Sequence, residues 1–431
     1  MGQLFPFRAL RYSADRVKNL ADVVTQPYDK ITGDMRSQYL QRHPFNMVRV
    51  IKNPDYQDAS SHLKRWIEEG ILDRDPVPGF YPYEQVFEFE GKQERRMGFI
   101  SLVSLRDSSL AIKGHENILK EPLEDRLRLI RQTESNEGLI FTLYSDPALV
   151  VDRILDECTS ACPPSASVDD EYGVTHRLWT ITDASAQEAI NQAIGDLPVY
   201  IADGHHRFQT SVLFCEECEK KGWRPAAVES FDKRLIALFN MRAPGLRILA
   251  THRGIRNMGG LDPGSLLSAL TQFFDATAVE SWPALKQSMA GNAHRIGLVL
   301  GGPPQFVMLQ PKNGVFSTRA FLPGLGSPAR ELNVNLLHQG ILKPYLGIGA
   351  EELASQKNVD YFRNPEELIA GVQASRYQLG FILNPTTLEQ VRLVSEKGEK
   401  MPQKSTDFYP KLLTGLVIMK MEIDKGSGVV P

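Results

Sequence analysis

The run Pro198-Val199-Tyr200-Ile201-Ala202-Asp203-Gly204-His205-His206-Arg207-Phe208-Gln209-Thr210-Ser211 restricts the fold more than any other stretch. Pro198 to Ala202 is a short apolar run bounded by Pro and Asp, and Phe208, Val212 and Leu213 recur at helical spacing. Strand, tight turn, helix is the expected order, with the polar cluster on the turn. A helix opening directly after a strand offers unpaired N–H groups and the positive end of its dipole to an anion such as phosphate. Gly204 lets the backbone approach closely, Arg207 can fork onto phosphate oxygens, and His205 and His206 can donate hydrogen bonds or exchange protons. Asp203 can hold Mg²⁺ or accept a proton from an alcohol. The bland alternative is a capping Asp203 beside solvated His and Arg side chains.

Patterns before and after this run give the fold class. Strand-like Phe7 to Tyr12 is followed by Gln26-Pro27-Tyr28-Asp29, where Pro27 holds Tyr28 and Asp29 on a stiff turn, and by Asn46 to Val50, read as a strand. A helix is expected over Leu63 to Leu72, and a hairpin from Phe80 to Phe89 and Met97 to Leu105 around Glu90-Gly91-Lys92. His115-Glu116 lies on a loop before a helix carrying Glu121, Asp125, Arg126 and Arg128; such a pair can supply a base or a metal ligand, or simply face water. Strand and helix patterns alternate from Gly138 to Ile194, interrupted by a linker-like Cys162 to Tyr172. Arg234 to Met241 reads as a buried strand, and Gly245 to Arg253 as a strand ending in His252-Arg253, where sites in open α/β sheets often lie. A hairpin is expected from Ile296 to Leu300 and Phe306 to Leu309, with Gly301-Gly302-Pro303-Pro304 as turn chemistry; no Lys-Ser/Thr follows it to make a nucleotide loop. In the last quarter Met401-Pro402-Gln403-Lys404-Ser405-Thr406 breaks all periodicity; Lys404, Ser405 and Thr406 can bind phosphate, with Lys411 a second cation, although composition by itself favours an ordinary surface loop. The sum is a mixed α/β protein, and the length of 431 residues suggests two or three domains. Soft boundaries divide it into 1–175, a core of 176–260, a helix-and-hairpin region of 261–345 and a C-terminal region of 346–431.

Composition excludes some classes. With 42% hydrophobic and 23% charged residues the chain is neither disordered nor fibrous. A net charge of −3 without a dense Lys/Arg block argues against nucleic acid as the partner. No leader-like apolar core and no run of about 18 apolar residues occurs, so a cytoplasmic protein without a membrane partner is expected. Cys158, Cys162, Cys215 and Cys218 fall in or beside helical patterns, which favours reduced structural thiols over zinc.

Taken in order, Gln26-Pro27-Tyr28-Asp29, His115-Glu116 with Asp125-Arg126, Ala202-Asp203-Gly204-His205-His206-Arg207, Thr251-His252-Arg253 and Met401 to Thr406 resemble a widespread prokaryotic family known only as a domain of unknown function. Ile118 and Leu123 stand where that family commonly carries Thr and Lys. The Asp-Gly-His-His-Arg turn is also similar to the ParB/sulfiredoxin-like superfamily, which includes free-serine kinases and nucleotide switches. The catalytic Cys of sulfiredoxin is replaced by His205, so sulfinic-acid reduction is not expected. The resemblance implies phosphoryl transfer from ATP, ADP or pyrophosphate with Mg²⁺ to a small hydroxylated metabolite, free L-serine first. Asp203, His205, His206 and Glu116 would act in catalysis, with Asp203 also as metal ligand. Gly204, Arg207, Lys404, Ser405, Thr406, His252 and Arg253 would hold phosphate or nucleotide, and Tyr28, Asp29, Asn46 and His115 the substrate. The alternatives are a nucleotide-binding regulator that does no chemistry and a metal-dependent phosphoesterase or nuclease; a homo-oligomer is compatible with each.

Overall fold

A computed structural model describes residues 3–106, 111–195, 197–292, 294–301, 305–315, 322 and 324–426. The chain forms two compact units. The first is drawn from Met1–Gly114, Ile118–Leu246 and Pro410–Pro431, the second from His115–Asn117 and Arg247–Tyr409. Both are mixed α/β, as the alternation of patterns requires.

The sheet of the first unit runs Ile112–Lys113, Val199–Asp203, Ile140–Tyr144, Lys233–Asn240, Lys92–Ser104, Tyr81–Phe89, Thr175–Leu178, Ala166–Asp169, with Leu4–Phe5 also on Lys92–Ser104. Val199–Asp203 is parallel to Ile112–Lys113, and Lys233–Asn240 to Ile140–Tyr144; the other pairs are antiparallel. Its longest pair is the expected hairpin. Glu90 and Gly91 both take positive φ, 50° and 74°, as a two-residue turn matched to strand twist demands. One face buries Phe80, Phe99, Ile140, Ile201, Ile236 and Leu238 with Ile190 and Ile194 of the helix Ala184–Ile194, whose N-terminus is capped by Asp183. Gly98 lies where the strands crowd: a Cβ there would stand 2.4 Å from the Leu238 carbonyl oxygen. Since backbone cannot yield as a side-chain tip can, Gly98→Ala is expected to lower stability by about 2 kcal/mol, read as a lower urea midpoint with unchanged m-value.

The second unit has an antiparallel sheet in the order Phe274–Val279, Gln305–Pro311, Ile296–Leu300, Leu379–Leu383, His252–Ile255, Val359–Phe362. The helices Trp282–Met289 and Pro365–Gln373 pack Leu285, Met289, Leu368 and Val372 against it. The hairpin of Ile296–Leu300 and Gln305–Pro311 is as expected, while Gly302, Pro303 and Pro304 lie outside the described residues.

Five local expectations are corrected. The helix expected over Leu63 to Leu72 runs over Tyr56–Glu68 instead, capped by Asp55, and Leu72 opens the strand Leu72–Arg74. Asn46 to Val50 is not a strand: the Asn46 side chain accepts from the Val48 N–H at 3.0 Å, a local bond that starts the one-turn helix Val48–Ile51. Cys162 to Tyr172 contains the edge strand Ala166–Asp169, so it is not merely a linker. His252 and Arg253 open a strand instead of ending one, because the extended run breaks between Leu249 and His252. His205, His206 and Arg207 form the first turn of the helix His205–Lys220 and do not sit on the preceding turn. Among the described residues no helix is long and apolar enough to cross a membrane.

Candidate functional site

The strand Val199–Asp203 delivers Asp203 to the corner through a break in register: Ile201 faces Thr142 but Asp203 faces Phe141, so Ala202 is the extra residue of a bulge. Gly204 follows at φ 97°, a conformation that favours glycine, and its absent Cβ leaves room for the Arg207 guanidinium, which would otherwise lie 3.1 Å away. Gly204 is the N-cap and supplies no side-chain cap, so Asp203 is not spent on capping. The helix behind it has 16 residues, enough to present a full N-terminal turn of N–H groups.

Asp203 is gripped by cations. Lys411 Nζ donates to Oδ2 at 2.8 Å, and Arg207 Nη2 lies 3.6 Å from Oδ1. Burial pushes the Asp203 carboxyl up, but Lys411 and Arg207, with the Lys411 hydrogen bond and the Lys30 charge behind them, outweigh it and leave it well below the usual carboxylate range. Its side chain remains 21% exposed, so the carboxylate is charged and within reach of solvent. The expected Tyr28 belongs here too. Burial, and then Asp29, push its hydroxyl up to about 12, while Arg207 and Arg126 oppose them, and the Arg126 guanidinium lies 4.3 Å from its ring centre. Asp29 itself is exposed. The Tyr28 segment is fastened by paired backbone bonds between Thr25 and Thr414, at 3.1 and 2.8 Å.

The neighbouring histidines are held inside the unit. His206 Nε2 accepts from the Leu119 N–H at 2.9 Å, which puts the proton of the neutral ring on Nδ1. His205 is buried, with its ring against Gly114, where a Cβ would approach it to 3.0 Å. Asn46 is fully buried, and its amide is used at both ends, Nδ2 by the Asp22 carbonyl at 2.7 Å and Oδ1 by Val48.

Behind the corner lies a cleft of about 460 Å³, counted to its open mouth, with Tyr28, Arg126, Arg207, Arg234, Glu137 and Thr414 among its walls. Lys411, Lys30, Arg234 and Glu137 were not among the residues singled out for this corner. Lys411 had a signal, its place beside the Pro-rich loop; Arg234 had none, since an Arg opening an apolar strand reads as solvated.

In the second unit another set of motifs meets. The Met401 N–H donates to the His115 carbonyl at 2.6 Å, Glu116 pairs with Met401, and His115 Nε2 lies 3.4 Å from Thr406 Oγ1. Lys404 takes φ 57°, and its carbonyl accepts from Arg253 Nη2 at 3.1 Å; the Ser405 hydroxyl donates to the Pro402 carbonyl. Arg253 is fully buried, also donating to the Thr251 carbonyl and to His338 Nε2 at 3.2 Å. His252 Nδ1 accepts from the Leu383 N–H at 3.2 Å. Of the residues named from sequence, Arg253 thus ties the Lys404 loop to the sheet, and His252 is committed to the strand beside it.

Among the described residues no three His, Cys, Asp or Glu side chains converge as a metal site, and all four cysteines are free thiols. Asp203, with two cations already against it, is not a preformed Mg²⁺ cage.

These features define a two-unit, mixed α/β protein with a cation-lined strand-turn-helix corner. The chain belongs to the family described as protein of unknown function DUF1015, whose model matches residues 4–335. That span includes the Asp203 corner but neither Lys404 nor Lys411. Solved structures similar to it include a free serine kinase in complex with AMP, at 13% identity and a TM-score of 0.36 over 72% of this chain and 86% of that one. A conserved hypothetical protein from Pyrococcus furiosus is similar at 13% identity and a TM-score of 0.35, over 73% of this chain and 92% of that one. SbnI from Staphylococcus aureus is similar at 11% identity and a TM-score of 0.35, over 74% and 87%. No curated protein matches.

Proposed function

We propose that the chain is a phosphotransferase that moves a phosphoryl group from a nucleotide or polyphosphate to a small hydroxylated metabolite, free L-serine being the first acceptor to try. The observation that carries this reading is the convergence on Asp203 of Lys411, Arg207 and Lys30 at the N-terminus of a long helix. Phosphoryl transfer needs positioning and charge neutralisation more than a covalent nucleophile, and this corner offers both. The acceptor oxygen attacks the terminal phosphorus as the bridging P–O bond breaks, and the donor leaves with the bond electrons. Arg207, Gly204 and the first-turn N–H groups hold the donor phosphates. Asp203 orients the acceptor hydroxyl and takes its proton late, when the bond to phosphorus has made that proton acidic. Its low basicity suits a loose transition state of this kind. Asp203 is the carboxylate that would contact a Mg²⁺ ion bound with the nucleotide, and that ion would supply further neutralisation of the phosphate charge. His205 and His206 shape the first turn, and Tyr28 with Asp29 faces the acceptor. In the second unit, taken by itself, Lys404, Ser405 and Thr406 are proposed as phosphate contacts, with His115, His252 and Arg253 supporting them, and Glu116 is the alternative to Asp203 as the base.

One observation favours a second reading. Asp203 is already neutralised by Lys411 and Arg207, which suits a corner that binds a nucleotide without chemistry, as a ParB-like regulator does. Phosphorus NMR separates the two. The protein is incubated with Mg²⁺, ATP, ADP, CTP, pyrophosphate, L-serine and other small alcohols; a new phosphomonoester that depends on one acceptor is expected. Inorganic phosphate alone would mean hydrolysis, and intact donors with measurable nucleotide binding would leave the regulator.

A further inference from the structure

The cleft behind Asp203 contains more positive charge than its neighbours neutralise. Arg126 is satisfied: it donates to Asp125 Oδ2 from Nε at 2.7 Å and Nη2 at 2.6 Å, and from Nη1 to the Ile51 carbonyl at 2.9 Å. Arg207 donates from Nη1 to the Leu139 carbonyl at 2.6 Å and shares Asp203 with Lys411. Arg234 is 4% exposed, donates from Nη2 to the Gly138 carbonyl at 2.6 Å, and has no ion pair among the described residues. Arg207 and Arg234 each keep a buried Nε–H with no acceptor among those residues.

A buried guanidinium without a counter-ion is costly, and this one stands close to another of the same sign. Burial, and then the charge of Arg207, push Arg234 down to about 9, with Glu137 opposing. Two successive carbonyls, of Gly138 and Leu139, fix the two arginines in place. Gly138 makes that approach feasible, since a Cβ there would meet Arg207 Nη1 at 3.1 Å. The remaining walls combine the apolar Ile51, Leu129 and Ile130 with hydroxyl side chains such as those of Ser135 and Thr414, and with Glu137.

We propose that this cleft is a binding site for one compact oxyanion, a carboxylate or phosphate group borne by the small molecule on which the Asp203 corner acts, held by Arg234 and Arg207. The inference rests on the phosphotransfer reading for the role of its ligand, but not for the binding itself. An oxyanion supplies the acceptor that both Nε–H groups lack and the charge that Arg234 lacks. The apolar part of the wall and the single counter-charge of Glu137 suit one anionic group on a short carbon skeleton better than a chain of phosphates.

The test is calorimetric titration of the full chain with inorganic phosphate and, separately, malonate, with ATP, ADP and pyrophosphate titrated in parallel. The wild type is expected to bind at least one of the two anions, and the tighter one tells phosphate from carboxylate recognition. Arg234→Met should weaken that binding by about tenfold or more while ATP binding persists. Because the substitution also removes an uncompensated buried charge, its thermal midpoint should be no lower than that of the wild type. Glu137→Gln should tighten the same anion, an effect opposite in sign to damage, and it carries the test where Arg234→Met folds poorly. Failure of the wild type to bind either anion, or Arg234→Met and Glu137→Gln both leaving affinity unchanged, overturns the proposal. Anion binding that persists in a protein that binds none of ATP, ADP and pyrophosphate upholds this site and removes the phosphotransfer reading instead.

Discussion

Asp203→Asn is expected to reduce acceptor-dependent phosphotransfer by about a hundredfold or more, since orienting a hydroxyl and receiving its proton contributes on that scale. The same substitution should destabilise the first unit by roughly 3 kcal/mol, because it leaves Lys411 and Arg207 partly buried without their common counter-charge. The two losses separate with pH. The carboxyl is held below its unfolded value, so its contribution to stability is complete above about pH 5 and is lost as pH falls through 4 and below. Urea midpoints of wild type and Asp203→Asn should therefore differ at pH 7, with a gap that narrows progressively below about pH 4 and is still open at pH 3. A constant gap would mean that the carboxylate is not held by those cations. Unchanged turnover would remove Asp203 from the reaction.

The second large effect lies in the other unit. Burial, and then the charge of Arg253, push His252 down to about 4, against the weaker pull of Glu366. In the unfolded chain this ring takes up a proton near 6.5, whereas in the folded chain it stays neutral with Nδ1 accepting from Leu383. The unfolded state therefore binds more protons between those values, and stability falls as pH drops from about 6.5 to 4. A fall from 6.5 to 4 corresponds to roughly 3 kcal/mol. His338, pushed down by burial and by the same Arg253, adds in the same direction. His252→Gln should flatten the pH dependence of the urea midpoint by the share of one proton without abolishing it. An unaltered slope would show that His252 is solvated when folded.

The class and most elements were legible because periodicity and turn chemistry act locally. The hairpin at Glu90-Gly91 and the helix after Gly204 depend on positions of positive φ that Gly91 and Gly204 fill without steric cost, and a single sequence displays these glycines. Asn46 to Val50 misled because apolar alternation over five residues does not reveal a side chain that bonds two residues ahead. At the site, Asp203, Gly204, Arg207 and Tyr28 stood out by the density of functional groups on short turns. Lys411 and Arg234 acquire meaning only through tertiary contact: one pairs with a carboxylate 208 positions earlier, the other donates to a carbonyl 96 positions earlier. No local pattern encodes such a meeting. The depressed carboxyl of Asp203 was equally out of reach, since it is a sum over cations from three separated segments.

The first unit is discontinuous in sequence, and Lys411 comes from the segment that returns to it after the whole second unit. A growing chain must therefore synthesise more than 160 further residues after Leu246 before Asp203 meets its principal counter-ion. Until then the corner has a carboxylate with only Arg207 and Lys30 to balance it. Synthesis of the second unit precedes that of the segment that completes the first, and closure over so long a span slows folding relative to a local pairing. A ribosome-bound or prematurely released chain ending before residue 411 carries every motif of the Asp203 turn and still lacks the finished charge balance.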